Sequence, residues 1–151
     1  GRGPFPTEIK GSLEEKIRDV GQEYGTTTGR ARRVGWIDLV QLKLANQLNS
    51  FSEIILTKVD VLSGLENVKM CVGYNIDGKE HVGVPSDIYN FGKIEPLYET
   101  LPGWKSLPAH IDSLDQCPDE LKNFISRLEQ VACVKVSLVS YGPDRNQTFK
   151  I

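Results

Sequence analysis

Residues 25–36 read GTTTGRARRVGW, with three consecutive threonines and three arginines in one short run. Arginine forks bind carboxylate or phosphate bidentately, and threonine hydroxyls beside a glycine backbone can wrap a small oxyanion. A compact ligand with more than one negative charge fits this chemistry. A basic surface loop balanced by the acidic helix before it is the alternative reading. Two tetrapeptides, Thr57-Lys58-Val59-Asp60 and Ser140-Tyr141-Gly142-Pro143, each end an apolar stretch. In open α/β sheets, ligands bind just beyond the carboxyl ends of strands. A carboxylate there accepts hydrogen bonds from both N–H groups of a guanine while a lysine stem covers the base. Adenine lacks that donor pair, and backbone N–H groups of the Ser140 turn can reach a carbonyl such as guanine O6. The alternative is a solvated Lys58 with Asp60 capping the next turn.

Other residue types offer less. His81 and His110 lack a Ser, Cys or metal-type partner at recognisable spacing and read as structural or solvent-facing. Cys71, Cys117 and Cys133 are odd in number, lack metal-ligand spacing and read as small core residues. No G-x-x-x-x-G-K-S/T phosphate loop occurs in these residues.

The elements that must hold these segments alternate in type. GSLEEKIRDVG predicts a helix with Ser12 and Glu15 as a capping box, Leu13, Ile17 and Val20 recurring at helical spacing, and Gly21 as stop. Asp38 reads as the N-cap of a second helix with Leu39, Leu42, Ala45 and Leu48 on one stripe, making the threonine-arginine run an interhelical loop. Ile54–Leu56 reads as a strand buried on both faces. Val68, Met70, Val72 and Tyr74 alternate, and Asp77-Gly78 predicts a two-stranded antiparallel ribbon. Residues 85–115 read as a long ordered loop. Pro118 opens a helix with Leu121, Phe124, Ile125 and Leu128 on one face, and Val134, Val136 and Leu138 form a strand that breaks at Gly142-Pro143. Interleaved strands and helices make the fold class α/β.

At 151 residues the chain reads as one domain, without internal repeat or evident linker. Its 39% hydrophobic and 25% charged residues describe a globular protein rather than a disordered one. A net charge of −2 gives no global field toward nucleic acid or an anionic membrane, so any anion site must be local. No apolar run approaches the ~20 residues that span a bilayer, and the simplest expectation is a cytoplasmic protein. The opening GRGPFPTE lacks an initiator Met and reads as loop, suggesting a piece of something longer.

Taken in order, GPFPTE, EYGTTTGRARRVGWIDL, LTKVDVLSGLE, CVGY, YETLPGW and SYGPDR resemble the C-terminal part of the adenylosuccinate synthetase family over nearly the whole chain. The resemblance implies the C-terminal portion of a P-loop-like α/β nucleotide-binding fold and a GTP-dependent ligase that joins L-aspartate to IMP. GTP phosphorylates the purine O6, the aspartate amine displaces the phosphate, and Mg²⁺ assists. It implies that Thr26, Thr27, Thr28, Gly29, Arg30, Ala31 and Arg32 form an aspartate-binding loop. Arg30 would also approach IMP and Arg32 GTP, and Ala31 is expected to face away from ligand. Lys58, Val59 and Asp60 with Ser140, Tyr141 and Gly142 would hold guanine. The phosphate loop, catalytic aspartate, catalytic histidine and metal ligands have no counterpart in these residues, so no catalytic or metal residue is assigned. The chain alone is then expected to be inactive and, with sheet edges unpaired, marginally stable. A homodimer is implied for the whole enzyme. A free-standing guanine-nucleotide or aspartate-binding module and a pseudo-enzyme subunit are the competing classes.

Overall fold

The computed structural model describes residues 3–84 and 94–151. In chain order these form α1 (Ser12–Val20), β1 (Ile37–Asp38), α2 (Leu39–Asn49), β2 (Ile54–Leu56), β3 (Asn67–Ile76), β4 (Lys79–His81), β5 (Ile94–Pro102), α3 (Asp119–Ala132), β6 (Val136–Ser140) and β7 (Thr148–Lys150). The fold is mixed α/β, as expected. No helix among the described residues is long and apolar enough to cross a membrane.

The strands form two sheets. In the first, β3 pairs antiparallel with β5 along its length, while β1, parallel, and β4, antiparallel, share its other edge. In the second, β6 lies between parallel β2 and antiparallel β7. The β2–β6 pair decides where a site can form. Leu56 pairs with Val139, so the chain leaves both strands at the same end and side by side.

Helices α2 and α3 cover a core built around Trp104, Leu121, Phe124 and Leu128. The four inward positions of α3 are all buried, as their spacing predicts. A smaller cluster of Ile9, Ile17, Val34 and Val61 ties the amino-terminal segment and α1 to the far side of the threonine-arginine run. Glu8 reinforces that tie. Arg33 donates to both of its carboxylate oxygens at 2.7 and 2.9 Å and also stacks over Phe5. The Arg33 hydrogen bonds first, then Lys10, hold the Glu8 carboxyl down at about 2. A depressed folded-state pKa contributes stability fully above the ordinary value of 4.5, and that contribution fades as pH falls through 2. The stability difference between wild type and Glu8→Gln, read from urea midpoints, is accordingly expected at neutral pH and should vanish across that window. A difference constant from pH 6 to 2 would contradict the assignment.

Several local expectations are corrected. Ser12 is the first helical residue rather than the cap, and no side chain caps α1. Left-handed Gly11 (φ 80°) instead presents its carbonyl to the Glu15 N–H at 3.2 Å, starting the helix one residue early. Gly21 ends α1 in a right-handed conformation, and Gln22 takes the left-handed turn. Asp38 does cap α2, accepting from the Gln41 N–H at 3.0 Å, but Leu48 is 74% exposed. Ile55 is 61% exposed, so the face of β2 that carries it is uncovered among the described residues and β2 is not buried on both faces.

In β3 a bulge between Cys71 and Gly73 breaks the alternation. Val68 and Met70 enter the main core, Tyr74 joins Cys71, Val40 and Ile94 in another cluster, and Val72 is only half-buried. Asp77 and Gly78, both left-handed, make the expected tight turn. The ribbon has a third long strand, β5, where loop was expected; positions 85–93 of that stretch lie outside the described residues. In β6, Val139 rather than Leu138 is fully buried. Cys71 and Cys117 are core residues, and burial pushes the Cys71 thiol up to about 12. Cys133 is exposed, in the left-handed residue that ends α3.

Candidate functional site

Tyr24 and Ala31 face each other in a bridge, and the Gly25 N–H donates to the Arg30 carbonyl at 2.8 Å. The threonine-arginine run is therefore a hairpin with Thr26, Thr27, Thr28 and Gly29 at its exposed tip. Gly29 turns the chain at φ 62°, a conformation glycine adopts without a Cβ clash. Thr28 Oγ1 accepts weakly from the Arg30 N–H at 3.4 Å, which curls the tip.

The arginines have separate fates. Arg33 is held by Glu8, and Arg32 Nη1 donates to Glu23 Oε2 at 3.0 Å. Arg30 has no ion pair among the described residues and is exposed. It is thus the loop guanidinium ready to meet an anion. Phe5, Thr28, Arg30, Ala31 and Arg32 wall an open cleft of about 520 Å³ on one side of the hairpin. Ala31 also lines the cleft on the other side, with Lys10 and Arg18. It stands between the two arginines and belongs to both surfaces.

The second centre lies at the shared end of β2 and β6. Lys58 is left-handed (φ 61°, ψ 36°) and starts a 3-10 turn over Val59–Leu62. That turn buries Val59 and holds Asp60 beside the strand end. Asp60 Oδ1 is buried and has no hydrogen-bond partner among the described residues. A buried acceptor without a donor costs about 1–3 kcal/mol, more when charged. Such an atom is stabilised once a donor reaches it. Across from it, Ser140 Oγ donates to the Gly142 carbonyl at 3.2 Å, and the Tyr141 N–H donates to the Gln147 carbonyl at 2.9 Å. The Tyr141 ring turns into the core, where its hydroxyl accepts from the buried Ile111 N–H at 3.1 Å. Tyr141 therefore fixes the turn, its ring committed to the core and its N–H to the Gln147 carbonyl. The Gln147 side chain lies against Gly142, 2.2 Å from where a Cβ would stand, so that turn accepts no larger residue without moving.

The two predicted guanine segments are thus adjacent, and the hairpin base meets them. Lys58 Nζ donates to the Gly21 carbonyl at 2.8 Å and forms an ion pair with Glu23, the same carboxylate that holds Arg32. An apolar cleft of about 420 Å³, walled by Trp36, Leu56, Val59 and Val61, opens beneath Glu23 and Lys58.

Residues 1–149 match the family model described as adenylosuccinate synthetase. The chain belongs to the adenylosuccinate synthetase family. It is 45% identical over 151 residues to the adenylosuccinate synthetase of Listeria welshimeri and 46% identical over 150 residues to adenylosuccinate synthetase 2 of Methanosarcina acetivorans. These alignments cover 100% and 99% of the chain, and the chain spans 35% of each relative's length. The fully ligated adenylosuccinate synthetase of Plasmodium falciparum superposes over the whole chain with a TM-score of 0.92 at 34% identity, and 37% of that structure is covered.

Two side chains around these segments were not legible as site residues in the sequence. Glu23 precedes the threonine run and carries no motif of its own. Its role is visible only when Lys58, 35 residues away, closes on it. Trp104 donates its indole N–H to the Val59 carbonyl at 3.1 Å and meets Phe124 edge-on at 5.6 Å, anchoring the turn that carries Asp60. The YETLPGW block ends on it, which was its only signal.

Proposed function

We propose that the chain supplies the aspartate-closing hairpin and the guanine pocket of an adenylosuccinate synthetase, the GTP-dependent ligase that joins L-aspartate to IMP in purine nucleotide biosynthesis. The observation that carries this reading is the unpartnered, buried Asp60 Oδ1 at the shared end of β2 and β6. A guanine presents two adjacent N–H donors, at N1 and N2, and one carboxylate takes both. The stem of Lys58 covers the base, Val59 shapes the pocket wall, Tyr141 fixes the turn through its N–H bond to the Gln147 carbonyl, and backbone N–H groups of the turn at Ser140 and Gly142 serve O6. Arg32 turns toward the GTP. At the hairpin tip, Thr26, Thr27, Thr28 and Gly29 give hydroxyl and backbone donors to the aspartate carboxylates, and Arg30 gives charge to aspartate and IMP. Ala31 spaces the two arginines.

Among the described residues no three His, Cys, Asp or Glu side chains converge as a metal site. Mg²⁺ takes one or two carboxylates together with phosphate oxygens and water, and in this reading its protein ligands belong to the family's length beyond these 151 residues. In this reading the phosphate-holding loop and the acid and base belong to the family's length beyond these 151 residues, and the chain by itself binds without turnover. A cytoplasmic homodimer is the assembly that accompanies this reading.

Calorimetric titration of the chain with GTP and with ATP tests the pocket. GTP is expected to bind on the order of tenfold to a hundredfold more tightly, the discrimination expected from hydrogen bonds to a charged acceptor. Equal affinity for the two nucleotides would overturn the guanine reading, and turnover of IMP, GTP and aspartate by these residues alone would overturn the division of labour.

A further inference from the structure

Two cations from different ligand-contacting segments meet on one carboxylate. Glu23 Oε2 takes Arg32 Nη1 at 3.0 Å, and Oε1 takes the Lys58 ammonium. The Glu23 main chain adds to this, since its carbonyl accepts the Arg32 N–H at 2.9 Å and closes the base of the hairpin. Around the pair, the Gly21 carbonyl at the end of α1 accepts from Lys58, and Arg18 Nε donates to the Arg32 carbonyl at 3.0 Å. Helix end, hairpin and strand end are therefore one hydrogen-bonded network centred on Glu23.

We propose that Glu23 is a positioning residue that yokes the hairpin to the turn carrying Asp60, so that both segments meet nucleotide as one unit. The inference rests on the reading of Arg32 and Lys58 as nucleotide contacts. Like charges held close repel, and a lone carboxylate between them reverses the sign of the interaction. One negative charge against two positive ones leaves the junction cationic, so it still attracts a polyphosphate. Lys58 is left-handed, a conformation a non-glycine residue keeps only when its surroundings over-determine it. The paired ammonium, fixed at both Gly21 and Glu23, provides that constraint. Nothing in a merely local role for Glu23 would make the hairpin respond to a change at position 58.

Amide hydrogen exchange of the chain without nucleotide tests the yoke directly. Lys58→Gln is expected to speed exchange at Gly25, Gly29 and Arg32 by roughly threefold to tenfold, the scale of losing one partly exposed ion pair. In a Glu23→Gln background the same Lys58 change should have no further effect, while amides of α3 and β3 stay as in wild type. Glu23→Asp, which keeps the charge, should restore part of the protection. Should Glu23→Gln fail to fold, Lys58→Gln and Arg32→Gln probe the network from its cationic side, and hairpin exchange that stays at the wild-type rate in Lys58→Gln would sink the proposal. A second readout is affinity for GDP, where Glu23→Gln is expected to lose about tenfold and unchanged affinity would count against the yoke. If wild type shows no preference for GDP over ADP, the guanine reading fails, yet the exchange data still decide the coupling.

Discussion

Asp60→Asn is expected to lower affinity for GTP by about tenfold to a hundredfold while leaving ATP affinity unchanged. The side chain keeps its size, so the 3-10 turn at Val59–Leu62 and the buried Val59 are undisturbed. What changes is the chemistry of one buried edge. A carboxylate offers two acceptors to the two guanine N–H groups; an amide offers one acceptor and sets a donor against a donor. The effect on folding should run the other way. Asp60 Oδ1 is a buried acceptor with no donor among the described residues, and replacing the charged group with a neutral one relieves part of that cost. Nucleotide titration together with a thermal melt reads both. Weaker GTP binding with an equal or higher melting temperature is the expected combination. Unchanged discrimination between GTP and ATP would remove Asp60 from the pocket.

The largest loss of stability is expected at Trp104. The residue is fully buried, packs edge-on against Phe124 and donates to the Val59 carbonyl. Trp104→Ala should cost about 3–5 kcal/mol, as truncation of a buried large aromatic side chain does. That is a substantial part of the roughly 5–15 kcal/mol that holds a domain folded. Trp104→Phe separates packing from hydrogen bonding. It keeps an aromatic ring but leaves the Val59 carbonyl without its donor, at about 1–3 kcal/mol. Because Val59 adjoins Asp60, the Phe variant should also bind GTP less well than its modest destabilisation alone explains. Urea denaturation with parallel nucleotide titration checks both variants, and a Trp104→Ala loss below about 1 kcal/mol would show that the core closes without it.

Local chemistry was legible in the sequence where it depended on neighbours along the chain. The inward face of α3, the Asp38 cap and the Asp77-Gly78 turn follow from spacing and from the conformational freedom of a few residues. Adjacency of the two segments predicted to hold guanine followed from a rule about strand ends, and the pairing of Leu56 with Val139 is the register that meets it. Long-range pairing was not legible. β5 reads as loop because Pro96 and a mixed polar pattern hide a strand whose partner, β3, supplies the regularity. The β3 bulge likewise reassigns faces by a backbone shift that alternation cannot register. Burial of Ile55 and Leu48 was overestimated for a related reason: apolar character states a preference, and topology decides whether anything covers it. Within the site, the residue types of the hairpin were readable, but their allegiances were not. That Arg33 goes to Glu8, Arg32 to Glu23 and Arg30 to neither depends on carboxylates 25 and 9 residues away from the first two.

The two indoles of this chain occupy opposite optical environments. Trp104 is sealed in the core with its N–H engaged, whereas Trp36 is half-buried and lines the cleft beneath Lys58 and Glu23. Emission from the first reports folding, and emission from the second reports whatever enters or leaves that cleft. Selective quenching can therefore separate the two signals, and the protein needs no attached dye to follow occupancy of the cleft.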